Sequence, residues 1–157
     1  MLASLVAGRI LQRGVLSATL GLPEGEFQTL WHSYFPGLRR QLPDGPTIDL
    51  GELSEVSALL LNHRAGRDAS QAWLTHIVAY ACCGRDHLWQ DLGLSNRDEL
   101  SQLMTLAFPG LAALNIGDMK WKKFIFRHYC STENIYVCPA PSCSECSDYR
   151  HCFAPEV

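Results

Sequence analysis

Apolar residues along this chain recur every three or four positions, in blocks separated by glycine and proline. That spacing places them on one face of a helix. Leu2 to Gln12 is the first such block, closed by Gly14. Glu24 to Phe35 is the second, with Phe27, Leu30, Trp31 and Tyr34 at helical spacing and Pro36-Gly37 as its stop. Leu38 to Pro46 reads as loop. A third helix begins at Asp49 or Ser54 and runs through Ala58, Leu59, Leu60 and Leu61 to Arg64, before Gly66. Asp68 or Ser70 suits the N-cap of a fourth, which carries Trp73, Leu74, Ile77, Val78 and Ala81 and ends at Gly84. Ser95 and Asn96 precede a fifth, with Leu100, Leu103, Met104 and Ala107 ahead of Pro109-Gly110. Asp118 to Tyr129 forms a sixth. No segment alternates with the two-residue period of a strand. The pattern predicts an all-α fold with a cysteine-rich tail.

The helical pattern also repeats. Residues 5–22 align without gaps on 77–94 with seven identities, and after one inserted residue 26–38 align on 99–111 with six more. Both stretches end on Phe-Pro-Gly-Leu. Helical proteins do reuse Leu-Gly stops, but the shared order favours a duplication. The expectation is two helix-turn-helix units, at about 5–38 and 77–111, packed about a pseudo-two-fold axis. They would lie in a helical domain of residues 1–130, with residues 131–157 packed on it as a metal-binding loop.

Composition narrows the class. A chain of 157 residues, 47% hydrophobic and 18% charged, can bury one sizeable core. A net charge of −3 argues against a general nucleic-acid binder. No apolar run approaches the ~20 residues that span a bilayer. Met1 to Pro23 has no acidic residue and carries Arg9 and Arg13, a composition shared with organelle presequences. Its membership of the repeat makes it part of the fold instead, so the expected location is cytoplasmic. Nucleophile–base signatures, phosphate-binding glycine loops and zinc-protease motifs are all missing, so no enzymatic activity is expected.

Five of the seven cysteines lie between Cys130 and Cys152, which points to metal or redox use. Cys138, Cys143, Cys146 and Cys152 form a C-x4-C-x2-C-x5-C pattern. Four thiolates this close repel one another unless a cation or cluster holds them. Pro139 and Pro141 keep the first spacer out of helix. Little apolar material surrounds these residues, so bound metal is expected to supply much of their order. The short, similar spacers favour an iron–sulfur cluster over the paired knuckles of structural zinc. Zinc and a reducible disulfide set remain alternatives.

Ahead of the tail, Lys120, Lys123 and Arg127 fall on one stripe and Trp121, Phe124, Ile125 and His128 on another. A solvated basic face explains this as well as a patch that attracts an anion or an acidic partner.

Taken together, MKWKKF at 119–124, Cys130, the tail APSCSEC…CFAPE, and DHLWQDLGL at 86–94 resemble the NifQ family. The resemblance is strongest from Asp86 to Glu156. It implies an iron–sulfur protein that carries molybdenum, as a mixed cluster, for assembly of the iron–molybdenum cofactor of nitrogenase. Its implied partners are the cofactor-assembly scaffold and the nitrogenase reductase, with no nucleic acid and no membrane. Cys138, Cys143, Cys146 and Cys152 match the family's cysteine motif. Molybdenum takes more ligands than three sulfides supply, so His87, His128 and Cys130 are candidate further ligands, with His151, Cys82 and Cys83 behind them. Two rivals stand beside this reading: a zinc-stabilised helical adaptor, and a small iron–sulfur electron-transfer or redox-sensing protein.

Overall fold

The computed structural model describes residues 1–133, 144, 147 and 149–156. Among these, all regular structure is helical: α1 (Leu2–Ile10), α2 (Glu24–Tyr34), α3 (Leu53–Asn62), α4 (Ala69–Cys82), α5 (Leu88–Asp91), α6 (Arg97–Ala107), α7 (Pro109–Leu114), α8 (Trp121–Thr132) and α9 (Tyr149–Phe153). No helix of the described residues is long and apolar enough to cross a membrane.

The core forms around α4. Trp73, Leu74, Thr75, Ile77, Val78, Ala79, Ala81 and Cys82 are all buried, so this helix is covered on nearly every side. α3 packs along it and also touches α8, while α2, α5 and α6 contact it from other directions. Asp68 caps α4 by accepting the Gln71 N–H at 3.1 Å, and Asn96 caps α6 by accepting the Glu99 N–H at 2.9 Å.

Three elements differ from the sequence pattern. Pro109 reads as a breaker, yet it opens α7 from the first helical position, where its missing N–H costs nothing. α5 and α9, of four and five residues, are too short to show a periodicity. The helix expected from Asp118 begins at Trp121. Asn115 ties both backbone groups of Met119, its Oδ1 accepting the N–H and its Nδ2 donating to the C=O, each at 2.9 Å. Asp118 sits at φ +52°, and Lys120 is extended as the N-cap of α8. Lys120 therefore stands beside the helix, not on its stripe with Lys123 and Arg127.

The two stretches that align in sequence have matching boundaries. α1 ends at Ile10 and α4 at Cys82, which are aligned positions, and α2 and α6 each span eleven residues over aligned positions. Their C-caps, Phe35 and Phe108, have nearly the same backbone angles (φ −131°, ψ 48° and φ −136°, ψ 59°).

Candidate metal centre and adjoining basic cleft

A cleft of about 500 Å³ opens between α5 with the turn before it, the start of α8, and the tail. Arg85, Asp86, His87 and Gln90 line it from the first, Lys120, Lys122 and Lys123 from the second, and His151 and Glu156 from the third. Lys122 is committed to structure. Its ammonium donates to the Gly84 carbonyl at 3.0 Å and the Asp86 carbonyl at 2.7 Å, and it pairs with Asp91. Asp91 is almost fully buried, and burial pushes its carboxyl up while Lys122 opposes the shift. This pair fastens the α5 turn to the first turn of α8. Arg85, Lys120 and Lys123 have no ion-pair partner among the described residues, and they outnumber Asp86, the acid in the lining that is likewise without one, so the described lining is net positive.

The tail reaches this cleft directly. The Lys120 N–H donates to the Cys152 carbonyl at 2.8 Å. The Glu156 side chain is only 2% exposed, with its carboxylate 3.7 Å from His87 Nδ1 and 3.8 Å from Arg97 Nε, ion-pair distances without a hydrogen bond between Glu156 Oε2 and Arg97 Nε. Cys152 and Phe153 are half-buried against the core. The last of the four tail cysteines therefore lies next to Lys120, on the side of the molecule where His87 meets the tail.

Cys138, Cys143 and Cys146, three of the four expected ligands, lie outside the described residues. Among the described residues no group of three or more His, Cys, Asp or Glu side chains is gathered for a metal ion. Of the further candidates, His87 and His151 line the cleft. His87 is the N-cap of α5, where Gln90 Oε1 accepts its N–H at 3.2 Å. His128 is not among the cleft residues: it stacks on Phe124 with ring centres 6.0 Å apart and meets His63 edge-on at 5.4 Å. Burial, then His63, lowers its pKa. Cys130 is a half-buried thiol in the last turn of α8. Cys82 is fully buried, its thiol pushed up to about 12, which suits packing and not ligation. Cys83 is half-buried, with its thiol raised by burial and by Glu52, and its Sγ–H donates to the Ala79 carbonyl at 3.6 Å. Arg127 is exposed one turn beyond Lys123 and is not among the cleft residues.

Sequence reasoning missed Arg85, Asp91, Arg97, Lys122 and Glu156. A signal was present for four of the five. Asp91 lies in DHLWQDLGL, Lys122 in MKWKKF and Glu156 in CFAPE, the segments that carry the family resemblance, and Arg97 follows the first of these by three residues. The Lys122–Asp91 pair joins the first two segments, and the Lys120–Cys152 and His87–Glu156 contacts join both to the third.

Comparison with known proteins bears on this convergence. The sequence model of the NifQ family matches residues 1–154. The chain is 37% identical to Protein NifQ of Azotobacter vinelandii, over 88% of this chain and 78% of that protein. It is 38% identical to Protein NifQ of Rhodobacter capsulatus, over 91% and 80%, and 32% identical to that of Klebsiella pneumoniae, over 90% and 89%. No solved structure matches. The matched region contains the first two segments that meet at the cleft and the third as far as Ala154, and on this match over nearly the whole chain the chain belongs to the NifQ family.

Proposed function

We propose that this chain is a carrier, without catalytic turnover, that holds a molybdenum-containing iron–sulfur cluster and supplies molybdenum for assembly of the nitrogenase iron–molybdenum cofactor. Cys138, Cys143, Cys146 and Cys152 would hold the cargo, since soft thiolates suit iron–sulfur clusters. The observation that carries this reading is the seating of Cys152 beside the basic cleft, where Lys120 binds its carbonyl. Molybdenum supplied as an oxyanion is attracted by Lys120, Lys123 and Arg85, so cargo and thiolates meet at one place. His87 supports the molybdenum end of that site. The same charge, extended along α8 by Arg127, steers the cofactor-assembly scaffold or the nitrogenase reductase during transfer in the cytoplasm.

The body, residues 1–130, is read as a duplicated unit, and residues 131–157 as the cluster-binding tail. Reciprocal contacts support the duplication. A side chain on Gly8 would collide with Gly93 O at 2.3 Å, and one on Gly21 would collide with the Tyr80 ring at 2.5 Å. Gly8 aligns with Tyr80, and Gly21 with Gly93. The two contacts are thus one contact seen from each unit, as a two-fold relation requires. Gly21 and Gly93 both sit at positive φ, +84° and +74°.

Anaerobic purification after growth with molybdate is the test. The expected protein is brown and contains iron, sulfide and molybdenum. Cys143→Ala or Cys146→Ala should abolish the chromophore and leave helical circular dichroism largely intact. Colourless protein containing zinc would instead make the chain a zinc-stabilised adaptor. Iron and sulfide without molybdenum would make it an electron carrier.

A further inference from the structure

The end of the chain is fastened to the body by several independent contacts, none of which involves a metal. Arg97, in the first turn of α6, donates to the Asp118 carboxylate at 2.8 and 2.9 Å and to the carbonyls of Asp118 and Met119 at 3.1 and 3.2 Å. Together with the Asn115 bonds to Met119, this makes the 115–120 turn a rigid ledge. The tail lies across that ledge. Its Cys152 carbonyl takes the Lys120 N–H. The Phe153 ring passes 3.1 Å from where a Gly117 Cβ would stand, so a side chain there would press against the ring. Beyond it, Glu156 turns inward to reach Arg97 and His87.

The burial of Glu156 is what makes this arrangement specific. A carboxylate at 2% exposure is unfavourable unless a cation faces it, so Arg97 selects one seating of the tail and penalises others. Only three residues separate Cys152 from Glu156, and the Cys152 carbonyl is itself bonded. With both points held, the backbone at Cys152 has little room to move.

We infer that Arg97 and Glu156 are positioning residues: they clip the carboxy-terminal segment onto the 115–120 turn and set Cys152 in place before any metal arrives. The tail thus reaches its cargo with one of its four cysteines already seated, and the binding of the first three does not have to order it. Metal would then supply the order of the first three cysteines more than that of the carboxy-terminal segment. The inference rests on Cys152 being a ligand, but the clip itself can be tested without metal.

The test uses the full chain, reduced and metal-free. Hydrogen exchange at the Lys120 amide and alkylation of Cys152 are followed by mass spectrometry, with exchange in the α4 core as the control for global folding. In the unsubstituted protein the Lys120 amide should be protected, and Cys152 should react at least about tenfold more slowly than in urea. Glu156→Gln should remove that protection and speed alkylation by about tenfold, with α4 unchanged. Arg97→Lys, which keeps the charge but not the fork, should fall between the two. If Glu156→Gln disturbs α4 as well, Phe153→Ala replaces it, with the same expected result. Cys152 reacting at its unfolded rate in the unsubstituted metal-free protein would overturn the clip. So would an unchanged rate in a variant whose α4 is intact. Cobalt(II) then tests the ligand reading separately. Cys152→Ala should weaken the sulfur-to-cobalt charge-transfer absorption; full absorption would remove Cys152 from the ligand set and leave the clip standing.

Discussion

Lys122→Met isolates the contribution of the buried tie between α5 and α8. The variant keeps the aliphatic stem and removes three hydrogen bonds, to Gly84 O, Asp86 O and Asp91. Asp91 is then left buried, with no counter-charge. Breaking a buried pair in this way costs about 3–5 kcal/mol. Protonation sets a ceiling on the carboxylate's share. An unfolded aspartate has a pKa of ~3.9, so folding it in the neutral form at pH 7 costs about 4 kcal/mol, and at pH 5 about 1.5 kcal/mol. In the variant the folded pKa lies above the unfolded value. Such a group favours folding below the unfolded pKa, and this contribution is lost as pH rises. The gap between variant and unsubstituted protein should therefore narrow on going from pH 7 to pH 5, by at most about 2.5 kcal/mol because Asp91 is already raised in the unsubstituted protein. Urea denaturation of metal-free protein at both pH values, followed by far-ultraviolet circular dichroism, measures this gap. A penalty below about 1 kcal/mol at pH 7, or one that is the same at both pH values, would refute the reasoning. Asp91→Asn in the Lys122→Met background should recover part of the loss, because no charge is then left buried.

His87→Ala should weaken molybdenum retention by about tenfold while sparing most of the iron, because the four cysteines remain; an unchanged molybdenum-to-iron ratio by elemental analysis would count against a role at the cleft. Lys120→Gln and Lys123→Gln should each reduce molybdenum loading or partner association about threefold at low ionic strength, with the difference fading in high salt. Arg127→Gln should do less, since Arg127 lies outside the cleft lining. Equal effects from all three would return the basic residues to the status of a uniform solvated face.

The helices of the body follow from local chemistry, which is why the sequence alone determined most of them. Asp68 and Asn96 cap α4 and α6 with bonds that span three residues, and the apolar stripes of α2 and α6 need only their own 3.6-residue period to be recognised. The family resemblance was likewise legible, because it rests on short contiguous segments. What the tertiary structure decided depends on residues far apart along the chain. The start of α8 moved to Trp121 because Arg97, twenty-one residues earlier, grips Asp118, and because the Lys120 N–H goes to Cys152. Lys122 reads in sequence as one more basic residue in MKWKK, yet Asp91 and two carbonyls thirty-odd residues away consume its charge. Glu156 reads as a solvated tail acid, yet its side chain is buried facing the guanidinium of Arg97. A charge's fate depends on its desolvation and its partner, neither of which has a period along a chain; for that reason the cleft, and the clip that seats Cys152 beside it, appear only in the folded protein.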